Sequence, residues 1–390
     1  MPLRMRLMSA GALALVAAGC ANALFGVGDL LGGFSEGIDR VEECASSLDP
    51  ADLNDVFELA VPVQWNGDSA ELTDAAQEDL GAFYAEHLGE EVFPAHFLNE
   101  RYFRLGPLVP GEVIEVELLS DVVSDAWLYD AELTIAGGQT HDLDGSRRRL
   151  TFHVARDNSV TYLRINLYYL SRTGEPIVRL TRKTQEPGPP LGQAVVLDFS
   201  GRTGLTFRTG TIKPTDIGPV DDALVRERAL AAFRATFEPY NLTMLTDADP
   251  PPEAPFSVIY IGPANPPIES LGLAEVIDYP NAIPDDIAVV DTNSGVLQAA
   301  RLLGPETFGT ALGKVAAHEM GHLLGLHHVS DPDALMTGAG CQGIGIDPQR
   351  MFERGFKRGP VWSFSSDFSI GYQDAQTYLL AVLGQATAPP

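Results

Sequence analysis

The sequence predicts an α+β chain: a small helical N-terminal region and an antiparallel β-sandwich, followed by a C-terminal domain that mixes strands with long helices. Three observations predict it. Short alternating apolar runs fill residues 101–183, separated by Gly, Asp and Asn turns. Beyond residue 191, strand-like runs mix with helical rhythms of apolar residues. Between the two lies Lys183-Thr184-Gln185-Glu186-Pro187-Gly188-Pro189-Pro190, a proline-rich extended linker that is stiff and marks a domain boundary.

At the N-terminus, Arg4 and Arg6 precede an apolar run from Leu7 to Ala18 and then Gly19-Cys20. This is the pattern of a secretory signal, and residues 1–20 are read as one. Val16-Ala17-Ala18-Gly19-Cys20 resembles the lipobox of bacterial lipoproteins, which implies a lipid anchor on Cys20 and attachment to the cell envelope. Position 17 is Ala where Leu is commoner, so cleavage near Ala21 or Ala23 and plain secretion is the alternative. No later apolar stretch approaches the roughly 20 residues that span a bilayer. After a Gly-rich spacer at 26–33, residues 34–98 read as helical. Asp74 and Gln77 stand in capping-box spacing, and Leu80, Phe83, Tyr84 and Leu88 form an apolar face. A helical region over 21–100 follows.

For residues 101–183 the expected strands are 113–119, 126–135, 150–154, 160–167 and 177–180, an antiparallel sandwich. The segment weakly resembles the prepeptidase C-terminal type β-domains of bacterial secreted peptidases. Chaperone-like, spacer and glycan-binding roles all stay open. The linker spans 184–190. In the 191–385 domain, 193–199 reads as a strand. Residues 221–237 read as a helix with Leu224, Ala231, Phe233 and Phe237 in rhythm, ending at Pro239. Strands follow at 256–261 and 287–291, then a helix at 307–324. Residues 347–358 read as irregular, 372–383 as a terminal helix, and 386–390 as a disordered tail.

The most specific signal is His318-Glu319-Met320-Gly321-His322-Leu323-Leu324-Gly325-Leu326-His327-His328, which reads HExxHxxGxxH. Five fixed positions coincide by chance in such a chain with odds of roughly one in ten thousand. Residues 318 and 322 lie one helical turn apart on one face, so both imidazoles reach one ion. Glu319 is about 100° around the helix, beside the ion and outside its ligand shell, which suits a base. Gly325 accepts the left-handed turn that stops the helix and returns His328 as third ligand. Three neutral imidazoles leave an open position where zinc brings the pKa of water to about 7, the layout of a catalytic site. His327 is out of register and reads as a surface histidine at a helix C-terminus.

Downstream of His328 comes Asp333-Ala334-Leu335-Met336-Thr337. With the histidine motif, it resembles the metzincin clan of zinc metallopeptidases, closest to the matrixin type. The resemblance covers residues 191–385. It implies a mixed sheet with an active-site helix, Met336 as an apolar floor beneath the histidines, and an edge strand, best placed at 273–277, that pairs with substrate backbone. Astacin-like and serralysin-like relatives carry a tyrosine two positions after this methionine; Gly338 stands here, so no tyrosine ligand is implied. Typical matrixins continue with proline and tyrosine, a second departure.

Together these predict a zinc endopeptidase acting on protein or peptide substrates: His318, His322 and His328 hold Zn2+, and Glu319 takes a proton from water and passes it to the leaving amine. The alternative is a surface lipoprotein that binds a partner and carries a non-catalytic zinc. With 26 basic and 53 acidic residues the net charge is −27, which argues against nucleic acid and against adsorption to anionic membranes. Membrane contact would come only through Cys20. Acidic loops such as Asp291-Thr292-Asn293-Ser294 are of the kind that hold calcium, but none has a full ligand pattern. Lipidation of Cys20 leaves Cys44 and Cys341. A disulfide, two thiols, and a latency switch in which Cys44 binds the zinc all stay open. Whether residues 21–190 are an inhibitory propeptide is open too.

Overall fold

A computed structural model describes residues 55–386, apart from 74–99 (where only Leu80 and Phe83 are described), 110, 121–122, 141–148, 154–157, 168–174, 185–191, 209, 211, 269, 278–280, 282, 332, 338–353 and 363–368. The chain divides into two compact units. One, Met1–Leu48 with Ala339–Ile346, lies outside the described residues, and so do the signal and lipobox, Cys44, Cys341 and Gly338. No helix among the described residues is long and apolar enough to cross a membrane.

The other unit begins with a single 3-10 turn at Asp55–Leu59, then β1 (Val61–Pro62) and β2 (Ser69–Thr73). Strands at 61–73 correct the helical expectation there. Ser69 to Leu72 alternates exposed and buried, a period of two, so Ala70 and Leu72 join a sheet core. Leu80 and Phe83 are helical; the rest of the expected apolar face lies outside the described residues.

The strands β3 (Glu100–Leu108), β4 (Glu112–Leu118), β5 (Val123–Tyr129), β6 (Ile135–Thr140), β7 (Arg149–His153), β8 (Asn158–Leu167) and β9 (Pro176–Thr184) complete two sheets. Their orders are β1-β3-β8-β5-β6 and β2-β9-β4-β7. Both contribute to one apolar core, with Phe103, Leu128 and Leu163 from the first meeting Ile114, Val178 and Leu180 from the second. The strand expected at 126–135 is instead two. Asp130 Oδ1 accepts from the backbone N–H of Glu132 and Thr134, and this Asx turn folds β5 back into β6.

The first sheet has a second buried face. Tyr102, Arg164 and Trp127 lie side by side in register across β3, β8 and β5, and none is more than 5% exposed. Strand alternation points them away from this shared apolar core. Phe57 packs edge-on against Tyr102 and Tyr129.

After 191 the chain forms β10 (Gln193–Asp198), β11 (Arg202–Leu205), β12 (Thr215–Ile217), α1 (Ala223–Phe237), β13 (Leu242–Thr246), β14 (Ser257–Gly262), β15 (Ala264–Asn265), β16 (Gly272–Ala274) and β17 (Ile287–Asp291). The main sheet runs β13-β10-β14-β17-β16, parallel except for the antiparallel edge strand β16. Asp222 caps α1 by accepting from Leu224 N and Val225 N, and Val225, Ala229, Phe233 and Phe237 form its buried stripe.

Two helices follow, α2 (Gly295–Leu302) and α3 (Pro305–Leu323), where sequence reading expected one from 307. Gly304, with φ at 107°, separates them, and Pro305 starts α3. α3 lies against α1 so closely that a Cβ at Gly309 or Gly313 would run into the carbonyls of Val225 and Ala229. The chain ends in the hairpin β18 (Arg358–Trp362) and β19 (Ser369–Asp374), then α4 (Ala375–Leu383). That helix starts three residues later than expected. Asp374 accepts from Thr377 N and Oγ1 and so becomes the cap, leaving Tyr372 in the strand. Of the expected disordered tail, Ala386 donates its N–H to Pro239 O, and 387–390 lie outside the described residues.

Candidate metal centre

The C-terminus of α3 builds the site. Leu326 N–H donates to Gly321 O, and Gly325 N–H to His322 O. Gly325 has φ at 98°. This is a Schellman stop, which turns the chain sharply enough to bring His328 back over the helix. Tyr378 of α4 donates its hydroxyl to the Leu324 carbonyl and so satisfies another helix-end acceptor.

The Nε2 atoms of His318, His322 and His328 stand 3.1 Å apart in all three pairs. His318 Nδ1 lies 2.7 Å from Leu335 O and His322 Nδ1 lies 2.7 Å from Leu326 O. A carbonyl only accepts, so each Nδ1 carries the proton and each Nε2 turns a lone pair inward. Lone pairs facing at this distance repel unless a cation lies among them. A triangle with 3.1 Å edges accepts an ion at about 2.0–2.1 Å from each corner, the zinc–imidazole distance. Among the described residues, these three are the His, Cys, Asp and Glu group able to hold a metal.

Burial is the first cause of the histidines' low pKa values. It takes His318 down to about 4 and holds His322 and His328 well below the usual range, where neighbouring imidazoles lower them further. All three are neutral at working pH, the form that binds metal.

Glu319 is 4% exposed. Burial pushes its pKa up to about 8 against the opposing effect of a hydrogen bond from Ala274 N–H. That bond ties the carboxyl to the edge strand. Leu271 O accepts from Asp291 N and Glu275 N donates to Ile287 O, so alternate residues of this segment face β17. The peptide groups of Gly272 and Ala274 then face away from the sheet. A Cβ at Gly272 would lie 2.5 Å from Glu319 Oε1, so only glycine lets strand and carboxyl approach this closely.

Met336 is buried and packs on the α3 backbone between the two helical ligands. A Cβ on Gly321 would fall 2.5 Å from its Sδ. The same turn supplies Leu335 O to His318, and is itself held by Met336 O accepting from Val329 N and by Leu335 N donating to Gly355 O.

His327 is a correction. Expected at the surface, it is 2% exposed. Its ring lies against Trp127 of β5, centroids 4.0 Å apart at 39°. Gln373 brackets its peptide, accepting from His327 N–H at 2.7 Å and donating to His327 O at 2.9 Å. Sequence reading missed Trp127 and Gln373, because neither stands in a motif and each reaches the site from a distant element; Ala274 lies within the expected edge strand, but its bond to Glu319 was not foreseen.

The family model described as Matrixin matches residues 270–340, from the edge strand through the methionine turn. No curated protein matches the chain. Similar solved structures include an archaemetzincin from Methanopyrus kandleri, 12% identical over 43% of this chain and 89% of that one with a TM-score of 0.26. Another is a zinc-dependent peptidase from Methanocorpusculum labreanum, 13% identical over 48% of this chain and 100% of that one with a TM-score of 0.27. The matrixin match and the histidine triad within it support a zinc peptidase of the metzincin type.

Proposed function

We propose that the chain is a zinc endopeptidase that hydrolyses internal bonds of protein substrates. The observation that carries this is the convergence of three imidazole Nε2 atoms with a buried carboxyl beside them. His318, His322 and His328 hold the ion, and Met336 keeps the two helical ligands seated. Zinc, when bound, supplies Lewis-acid activation of water and of the scissile carbonyl. Glu319 is the proton carrier, taking a proton from the attacking water and delivering it to the leaving amine. The outward peptide groups of Gly272 and Ala274 hold an extended substrate by main-chain hydrogen bonds. A substrate that takes the Ala274 N–H releases Glu319 from that bond and frees it to act. The strands from Val61 to Thr184 serve as a β-sandwich domain and residues 191–385 as the peptidase domain, joined through 185–190. The Leu7–Cys20 pattern supports export with a lipid anchor on Cys20.

The test is digestion of an unstructured, fluorescence-quenched protein by the full zinc-loaded chain, with products sized by mass spectrometry. Internal fragments are expected. Glu319→Ala keeps its zinc but loses at least about a hundredfold in turnover, whereas His322→Ala loses the metal too. Undiminished turnover in Glu319→Ala would refute the mechanism.

A further inference from the structure

We propose that Trp127, on β5 of the N-terminal sheets, is a positioning residue for the metal centre: stacked on His327, it fixes the peptide that presents His328. The inference rests on the zinc-peptidase reading and extends the centre into the first half of the chain.

The three ligands are presented by different kinds of backbone. His318 and His322 stand on a 19-residue helix, and each has its ring nitrogen tied to a carbonyl. His328 lies past the Schellman stop, in a stretch with no regular structure until the bridge at Val329. What grips residues 326–329 therefore bears on its place. Among these grips are bonds to the backbone: Leu326 N–H to Gly321 O, the Gln373 bracket on His327 and the Val329–Met336 bond. Another is Trp127. Successive side chains of an extended segment point to opposite sides, so the peptide that turns His328 toward the other ligands turns His327 toward the N-terminal sheets. There the indole meets it.

Trp127 is itself rigidly held. Arg164, its cross-strand neighbour, lies with its guanidinium carbon 5.9 Å from the ring centroid. Arg164 pairs with Glu100, both with side chains 2% exposed, and Tyr102 donates its hydroxyl to Glu100. The indole thus lies against both a buried charge pair and a histidine. His327 Nε2 and Trp127 Nε1 have no hydrogen-bond partner among the described residues, so ring contact is what joins them. Nothing in this arrangement touches the reacting atoms. Its effect runs through the geometry of one ligand, as supporting contacts behind metal ligands do.

The experiment measures zinc affinity of the full chain by competition with a chromophoric chelator, and the visible absorption of the cobalt-loaded chain, which reports ligand geometry. Trp127→Ala is expected to weaken zinc about tenfold and to alter the cobalt bands, with Trp127→Phe restoring both. Leu180→Ala, which opens a cavity in the sandwich core away from His327, controls for general destabilisation and should leave both readouts unchanged. If Trp127→Ala does not fold, Trp127→Leu keeps most of the apolar volume without the ring face and carries the same expectation. Wild-type affinity and spectrum in Trp127→Ala and Trp127→Leu, or an equal change in Leu180→Ala, overturns the proposal. A wild-type chain that takes up neither metal overturns the zinc reading along with it.

Discussion

Replacing Glu319 with Gln in the metal-free protein should make it more stable, by an amount that grows with pH. The carboxyl is 4% exposed, and burial raises its pKa from 4.5 to about 8. Between those values the folded chain keeps a proton that the unfolded chain has lost. Its contribution is intact below the unfolded pKa and declines as pH rises toward the folded one. The slope is about 1.4 kcal/mol per pH unit. Over the roughly 2.5 units between 4.5 and neutrality, about 3 kcal/mol is lost. Glutamine has the same shape and does not titrate, so Glu319→Gln should match wild type near pH 5 and exceed it by about 3 kcal/mol near pH 7. The assay is urea unfolding of chelator-stripped protein across this range, followed by tryptophan fluorescence. Parallel pH profiles would refute the reasoning, since they would mean the carboxyl titrates normally in the fold. Zinc should abolish the slope, because a dication beside the carboxylate favours its charged form.

Two further outcomes are expected. Burial holds His318 near 4 and His327 near 3, with His322 and His328 also lowered. These folded values lie below the unfolded 6.5, so stability is full above that pH and falls as pH drops toward them, at about 1.4 kcal/mol per unit for each histidine. Acid titration of metal-free His327→Leu should show one proton fewer taken up on unfolding than wild type, and an unchanged uptake would count against the burial of that ring. Gly313→Ala should lower the melting temperature, by about 1–3 kcal/mol in stability, although alanine favours helices. At the open site Gly295 a Cβ would meet no atom within 4 Å, so alanine should be tolerated there; similar melting of the two variants would contradict the close α1–α3 approach.

The helix, its stop at Gly325 and the convergence of three histidines were legible because spacing along one helix is a local property. The same holds for β10, β14, β17 and α1, whose apolar periods match their lengths. The failures were of two kinds. Asp130 and Asp374 act through side-chain bonds to nearby backbone, which cut a strand in two and delay a helix without disturbing the apolar pattern. His327 failed for a different reason: its local sequence fits a solvated helix end, whereas in the fold Trp127 and Gln373, from the distant β5 and β19, lie against it. The first sheet's second buried face was hidden likewise, because Tyr102 and Arg164 alternate with the apolar residues of their strands and carry polar groups.

The contact between Trp127 and His327 also bears on how the chain reaches its native state. It closes a loop across roughly half the sequence, and Gln373 adds a clasp from 46 residues beyond His327. Such long closures cost chain entropy before any contact repays it, and they slow folding. The N-terminal sheets leave the ribosome first and can settle on their own core. The segment carrying His328 gains its Gln373 clasp only when β19 arrives. The full set of supports behind His328 is therefore complete only after β19 has been made, well after the zinc helix itself.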